Sequence, residues 1–134
     1  MTLFSALLGR KGDKNVQTYC ISRCLSIRHG GGMDNGKAHS HTIEVLAYIG
    51  KEDGAFEPFF SMEQVMDSYL SRYEGRFINV LPEFDGDGSI ERMGEVFFAG
   101  LSRTLAQSGL YLERLEVGET PLRRYIVGRL DGAG

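Results

Sequence analysis

Apolar and polar positions alternate from Gln17 to His29. Tyr19, Ile21, Leu25, Ile27 and His29 share one parity, which only Arg23 breaks. A period of two is the pattern of a half-buried strand. A second alternation runs from His39 to Ile49. There His39, His41, Ile43, Val45, Ala47 and Ile49 fall on one face, while Thr42 and Glu44 face the other way. Gly30 to Lys37, between the two, reads as a loop. The period then lengthens. Met62, Val65, Met66, Tyr69 and Leu70 form an apolar stripe that predicts a helix over Ser61 to Tyr73, with Ser61 as N-cap and Gln64 as its capping-box partner. Met93, Val96, Phe97, Leu101 and Leu105 give the same spacing over Ile90 to Ser108. Ser89 caps that helix and Gly109 stops it. Two further strands, Tyr111 to Glu119 and Leu122 to Arg129, meet at a bend near Pro121.

The order is strand, strand, helix, helix, strand, strand. It predicts an α+β sandwich, with both helices packed on one face of a four-stranded sheet. The opposite face would then need a cover, which a partner subunit could supply. The 134 residues fit one domain, 1–134, long enough to bury a core without disulfide staples. Cys20 and Cys24 lie about 13 Å apart along an extended strand, too far for a disulfide, and read as buried or half-buried thiols. A formal charge of -3 and the lack of a Lys/Arg cluster argue against a nucleic-acid partner, and the Arg123–Arg124 pair reads as a solvated strand edge. No apolar run approaches the roughly 18 residues of a membrane span. Met1 to Leu8 is too short and too poor in leading charge for a secretory signal. The expectation is a cytoplasmic protein with no membrane partner. Gly132 to Gly134 reads as a frayed tail.

The three histidines lie within thirteen residues, as His29, His39 and His41. His39 and His41 have the strand spacing that sets two imidazoles on one face about 7 Å apart. Antiparallel pairing across the Gly30–Lys37 loop would bring His29 beside them. Three neutral imidazoles suit zinc and leave a fourth position for water or substrate. Spacing alone keeps a second reading open, in which these are hydrogen-bonded core histidines. Glu119 shares parity with Leu115 and Val117, which turns it inward. Its carboxylate could accept two hydrogen bonds from a 2-amino-4-oxopyrimidine edge, or could simply pair with Arg123 or Arg124.

The stretch Ser26-Ile27-Arg28-His29, followed by His39-Ser40-His41 and Thr42-Ile43-Glu44-Val45, resembles the 6-pyruvoyltetrahydropterin synthase and 6-carboxytetrahydropterin synthase family. The similarity continues in Phe59 to Leu70, in Glu74 to Asn79, in Ser89-Ile90-Glu91 and in Val117-Gly118-Glu119-Thr120, covering roughly residues 19 to 128. The resemblance implies the tunnelling fold, an antiparallel sheet with two helices that joins others into an oligomeric barrel. It implies a hexamer of two stacked trimers, zinc on His29, His39 and His41, and a pterin-like ligand anchored by Glu119.

The chain departs from the family pattern at two chemical positions. Asn35 stands where the family carries its catalytic cysteine, and an amide cannot serve as a thiolate base. Glu74 and Gly75 stand where the family has its Asp-His pair. Some family members replace the cysteine by glutamate, and Asp34 is the acid nearest that position. Ser40 replaces the central glycine of the His-Gly-His and should point away from the metal. Two functions follow. One is a zinc-dependent enzyme, lyase-like or side-chain-modifying, acting on a pterin or related bicyclic with Asp34, a metal-bound hydroxide or Glu74 as base. The other is a divergent member that keeps the fold and metal for a binding or assembly role.

Overall fold

A computed structural model describes residues 17–53 and 55–128. The readings placed on Met1 to Leu8, on Arg129 and on Gly132 to Gly134 lie outside the described residues. The elements are β1 (Tyr19–His29), β2 (His39–Lys51), α1 (Phe59–Leu70), α2 (Ile90–Ala106), β3 (Leu110–Thr120) and β4 (Arg123–Gly128). The strands form one sheet in the order β1-β2-β3-β4, and every neighbouring pair is antiparallel. The two helices are inserted between β2 and β3, which are neighbours in the middle of the sheet.

Strand parity decides which side chains meet the helices. Ile21, Leu25 and Ile27 of β1, Ile43, Val45, Ala47 and Ile49 of β2, and Leu115 and Val117 of β3 make one buried face. Met62, Met66, Tyr69 and Leu70 of α1 and Met93, Phe97, Leu101 and Leu105 of α2 pack against it. Both stripes read from the sequence are therefore core. Arg23 interrupts the apolar parity of β1 because it reaches the helix layer. Its guanidinium bonds Asp67 at 2.9 Å and Glu74 at 3.4 Å.

The helix ends follow local chemistry. Ser89 Oγ accepts from the Arg92 N–H at 3.1 Å, so α2 is capped as its sequence predicts. Gly109, at φ +73°, supplies the left-handed residue that turns the chain out of α2. The capping box at Ser61 and Gln64 is not formed. Helix α1 starts earlier, at Phe59, because Pro58 holds the extended backbone before it, and no side chain caps it. Ser61 is already inside the first turn, with its N–H on the Pro58 carbonyl. At the other end α1 stops at Leu70 and tightens into a single 3₁₀ turn, Ser71–Tyr73.

The sheet face away from the helices is polar. Ser22 Oγ donates to Glu44, Arg124 bonds Glu44, and Tyr48 and Arg114 both donate to Glu116. Ser22 first, and then Arg124, hold the Glu44 carboxyl below its ordinary pKa by bonding its charged form. These side chains bond one another, but Arg114 Nε and Arg124 Nη1 are buried without a hydrogen-bond partner. Cys20 and Cys24 project from the same face and are exposed, which corrects their assignment as buried or half-buried thiols. Their parity opposes that of Ile21 and Leu25, and among the described residues no helix lies on their side.

The C-terminal end of the outer β1 edge, Ser26 to Arg28, is covered by the chain after α1. Glu74 accepts from the Ser26 N–H at 3.0 Å, the Gly75 N–H donates to Ser26 O at 2.6 Å, and the Arg28 N–H donates to Arg76 O at 2.9 Å. Backbone groups that would otherwise offer a template for another strand are thereby used internally.

Gly100 of α2 tests the packing. A Cβ built there would lie 2.0 Å from the Tyr69 hydroxyl oxygen. Tyr69 is 3% exposed, so its ring has little room to retreat. Alanine normally favours a helix over glycine by about 1 kcal/mol. Overpacking should outweigh that gain, and Gly100→Ala is expected to lower stability by a net ~1–2 kcal/mol. Urea denaturation checks this; an unchanged or raised midpoint would contradict the packing described.

Candidate metal centre

The register of β1 on β2 sets His29 opposite His39 and Ile27 opposite His41. All three histidines sit at the end of the strand pair, on the helix-side face. His29 and His41, diagonal neighbours across the ladder, point their rings at each other. His29 Nε2 lies 2.7 Å from His41 Nδ1. On the other side of its ring, His29 Nδ1 lies 2.7 Å from Gly88 O. A carbonyl only accepts, so this contact places the proton on Nδ1 and leaves the Nε2 lone pair facing His41.

Glu119 enters from β3, one step beyond the Glu44–Gly118 pair. Its Oε2 lies 3.0 Å from His41 Nδ1 and 3.3 Å from His29 Nε2. Arg124 is occupied by Glu44 at 2.6 Å and lies 3.8 Å from Glu116. The carboxylate of Glu119 thus turns toward the imidazoles. Zinc–nitrogen and zinc–oxygen bonds of about 2.0–2.2 Å at tetrahedral angles put neighbouring ligand atoms about 3.3 Å apart. The edges of the triangle formed by His29, His41 and Glu119 are 2.7, 3.0 and 3.3 Å, so the donor set fits a metal such as zinc in chemistry, and the two rings would part by about half an ångström to admit it. His39 stands beside this triangle. Its ring stacks on that of His41, with centroids 6.1 Å apart and planes 21° from parallel.

Two residues support the centre that the sequence reading did not assign. Asn79 is 2% exposed. It accepts from the Gly30 N–H at 3.3 Å and donates to Gly32 O at 2.6 Å, so it fixes the loop that leaves His29. Gly88 presents the carbonyl that orients His29. A Cβ at Gly88 would lie 2.0 Å from Asn79 Oδ1 and 3.0 Å from His29 Cβ. An asparagine flanked by Ile78 and Val80 was the available signal: a buried amide must find partners.

The other candidates lie as follows. Asp34 is exposed, and its Oδ1 accepts from the Gly36 N–H at 2.9 Å, capping a 3₁₀ turn over Asn35–Lys37. Asn35 Oδ1 accepts from Arg28 Nε at 2.8 Å, and Arg28 also donates to Ser40 Oγ at 3.0 Å. Arg28 and Ser40 alternate with the histidines, so Ser40 points away from the imidazoles, as expected. Glu74 is engaged with Ser26 and Arg23, which gives it a structural task.

Beside Glu119 lies a cavity of about 400 Å³, lined by Ile90, Glu91, Gly118, Glu119, Thr120, Arg123, Arg124 and Tyr125. That size is within the range of small-molecule sites.

Fold and site together define an α+β protein with a candidate metal and ligand pocket at one end of its sheet. The 6-pyruvoyl tetrahydropterin synthase family model matches residues 14–129, and the chain belongs to that family. Among solved structures, the fold is similar to 6-pyruvoyl tetrahydropterin synthase from Caenorhabditis elegans, at 14% identity and a TM-score of 0.69, covering 87% of this chain and 97% of that one. The Plasmodium vivax synthase is similar at 12% identity and a TM-score of 0.62, covering 87% and 99%. An uncharacterized Wolinella succinogenes protein is similar at 13% identity and 0.57, covering 85% and 99%. No curated protein matches the chain by sequence. The fold is the tunnelling fold that the sequence resemblance implies.

Asn79→Ala should cost ~2–3 kcal/mol, because it strands the Gly30 N–H and the Gly32 carbonyl. Thermal and urea denaturation measure this. A loss below about 0.5 kcal/mol would mean that the amide does not organise the loop.

Proposed function

We propose that the chain is a zinc-binding 6-pyruvoyl tetrahydropterin synthase-like protein that takes a pterin or related bicyclic. The observation that carries this reading is the convergence of His29 Nε2, His41 Nδ1 and Glu119 Oε2 beside a ligand-sized cavity. His29, His39 and His41 would hold the ion, as the family resemblance implies. When bound, zinc would polarise oxygens of the ligand's side chain. Glu119 would accept the ring N–H and the exocyclic amine of a 2-amino-4-oxopyrimidine edge. Such a protein would be cytoplasmic and would assemble as a hexamer of two trimers.

If proton transfer survives, Asp34 is its candidate base. A carboxylate in this role has a precedent: two Plasmodium vivax synthase structures carry substitutions of a glutamate named as catalytic. Such an enzyme would be a carbon–oxygen lyase or would modify the pterin side chain.

Two observations favour a second reading, in which the chain binds its ligand without the family's reaction. Asn35, at the family's cysteine position, is held by Arg28. Gly75, at the family's histidine position, has φ +72° and donates its N–H to Ser26 O. An L side chain at that backbone angle is strained, so the segment has a conformation built for glycine.

Purified protein is expected to carry about one zinc per chain by elemental analysis, and a metal-free protein that does not take up zinc on titration would refute the reading. Calorimetric titration with pterin should show binding that Glu119→Ala abolishes. Turnover of 7,8-dihydroneopterin triphosphate should be weak or absent. Robust turnover that Asp34→Ala abolishes would favour the enzyme over the binding protein.

A further inference from the structure

Glu119 has two claims on it. Its Oε2 sits 3.0 Å from His41 Nδ1 and 3.3 Å from His29 Nε2, at ligand-to-ligand spacing for a tetrahedral metal. The same residue lines the 400 Å³ cavity with Thr120 and Arg124. A carboxylate has two oxygens, but one head group cannot both complete a metal's coordination and lie in plane with a ligand's paired N–H donors.

We propose that Glu119 is a metal ligand of the ligand-free site, and that a pterin entering the cavity takes its carboxylate from the metal. This rests on the metal-binding reading above and goes beyond the role of simple ligand anchor. Two histidines and a glutamate are a recognised zinc donor set. His39 lies outside this cluster of close donor atoms; were its ring to turn in, four protein groups would close the site, the condition of a structural zinc. Departure of Glu119 would open one position, the condition of a reactive one. The exchange makes ligand entry and exposure of the metal one event. The donors are unequally covered: the side chain of His29 is 12% exposed, whereas those of His41 and Glu119 are 40% and 34% exposed. Glu119 lies within the irregular stretch of the β3–β4 ladder between Val117 and Thr120 and one residue past the Glu44–Gly118 pair, so its side chain is not locked by regular neighbours on both strands.

The test is cobalt and zinc titration of the whole chain and of Glu119→Gln, an isosteric change at a part-exposed position, with circular dichroism to confirm folding. Cobalt reports coordination through its visible absorption. Wild type should bind either metal about tenfold or more tightly than Glu119→Gln, since even groups that only orient ligands are worth 10–100-fold. Adding pterin to cobalt-loaded wild type should shift the absorption toward that of cobalt-loaded Glu119→Gln. Equal affinities and identical cobalt spectra in the two proteins would overturn the proposal while leaving the metal reading intact. A wild type that binds neither metal would overturn both.

Discussion

The site depends on one constraint, the pairing of β1 with β2. That ladder runs unbroken from Tyr19–Ile49 to His29–His39. Because side chains alternate strictly, one register places both Ile27 and His29 on the face that carries Ile43 and His41. A slip of one residue would send the imidazoles of one strand to the opposite face and expose its core side chains. The buried set of Ile21, Leu25, Ile27, Ile43 and Val45 therefore fixes the position of the histidines: hydrophobic burial specifies the register, and the register specifies the site.

From that ladder the supporting parts follow outward. The segment after α1 covers the end of the β1 edge, at Ser26 and Arg28, through Glu74, Gly75 and Arg76. A few residues later it delivers Asn79 beneath the loop and Gly88 behind His29. One carbonyl thus orients the first imidazole, and one buried amide fixes the loop that follows it. Glu119 arrives from β3, and the polar network of Glu44, Glu116 and Arg124 occupies the opposite sheet face. The division is chemical: one face is apolar and ends in imidazoles, the other is ionic and exposes Cys20 and Cys24.

Much of this was legible because alternation and helical spacing are strong signals. The strand parities, both helix stripes, the Ser89 cap and the Gly109 stop follow from adjacent residues alone. The inward turn of Glu119 was legible for the same reason. What was not legible depends on groups distant in sequence. Periodicity assigns Cys20 and Cys24 to a face but does not say whether that face is covered. Ser61 and Gln64 match a capping box, but Pro58 sets the backbone that starts the helix earlier. Glu74 looked like a candidate base until its bonds to Ser26 and Arg23 gave it a structural task. Asn79 carried no local mark beyond being polar among apolar neighbours. The stacking of His39 on His41, with Glu119 closing the triangle, required tertiary placement that spacing cannot supply.

The central claim is that imidazoles at the end of β1 and β2 hold a metal without help from thiols. X-ray absorption at the zinc edge of the purified, zinc-loaded chain tests it most directly. The account predicts nitrogen and oxygen neighbours at about 2.0–2.1 Å, the outer-shell scattering of imidazole rings, and no sulfur. A sulfur neighbour at about 2.3 Å would place the metal on the exposed face with Cys20 and Cys24 and contradict the account.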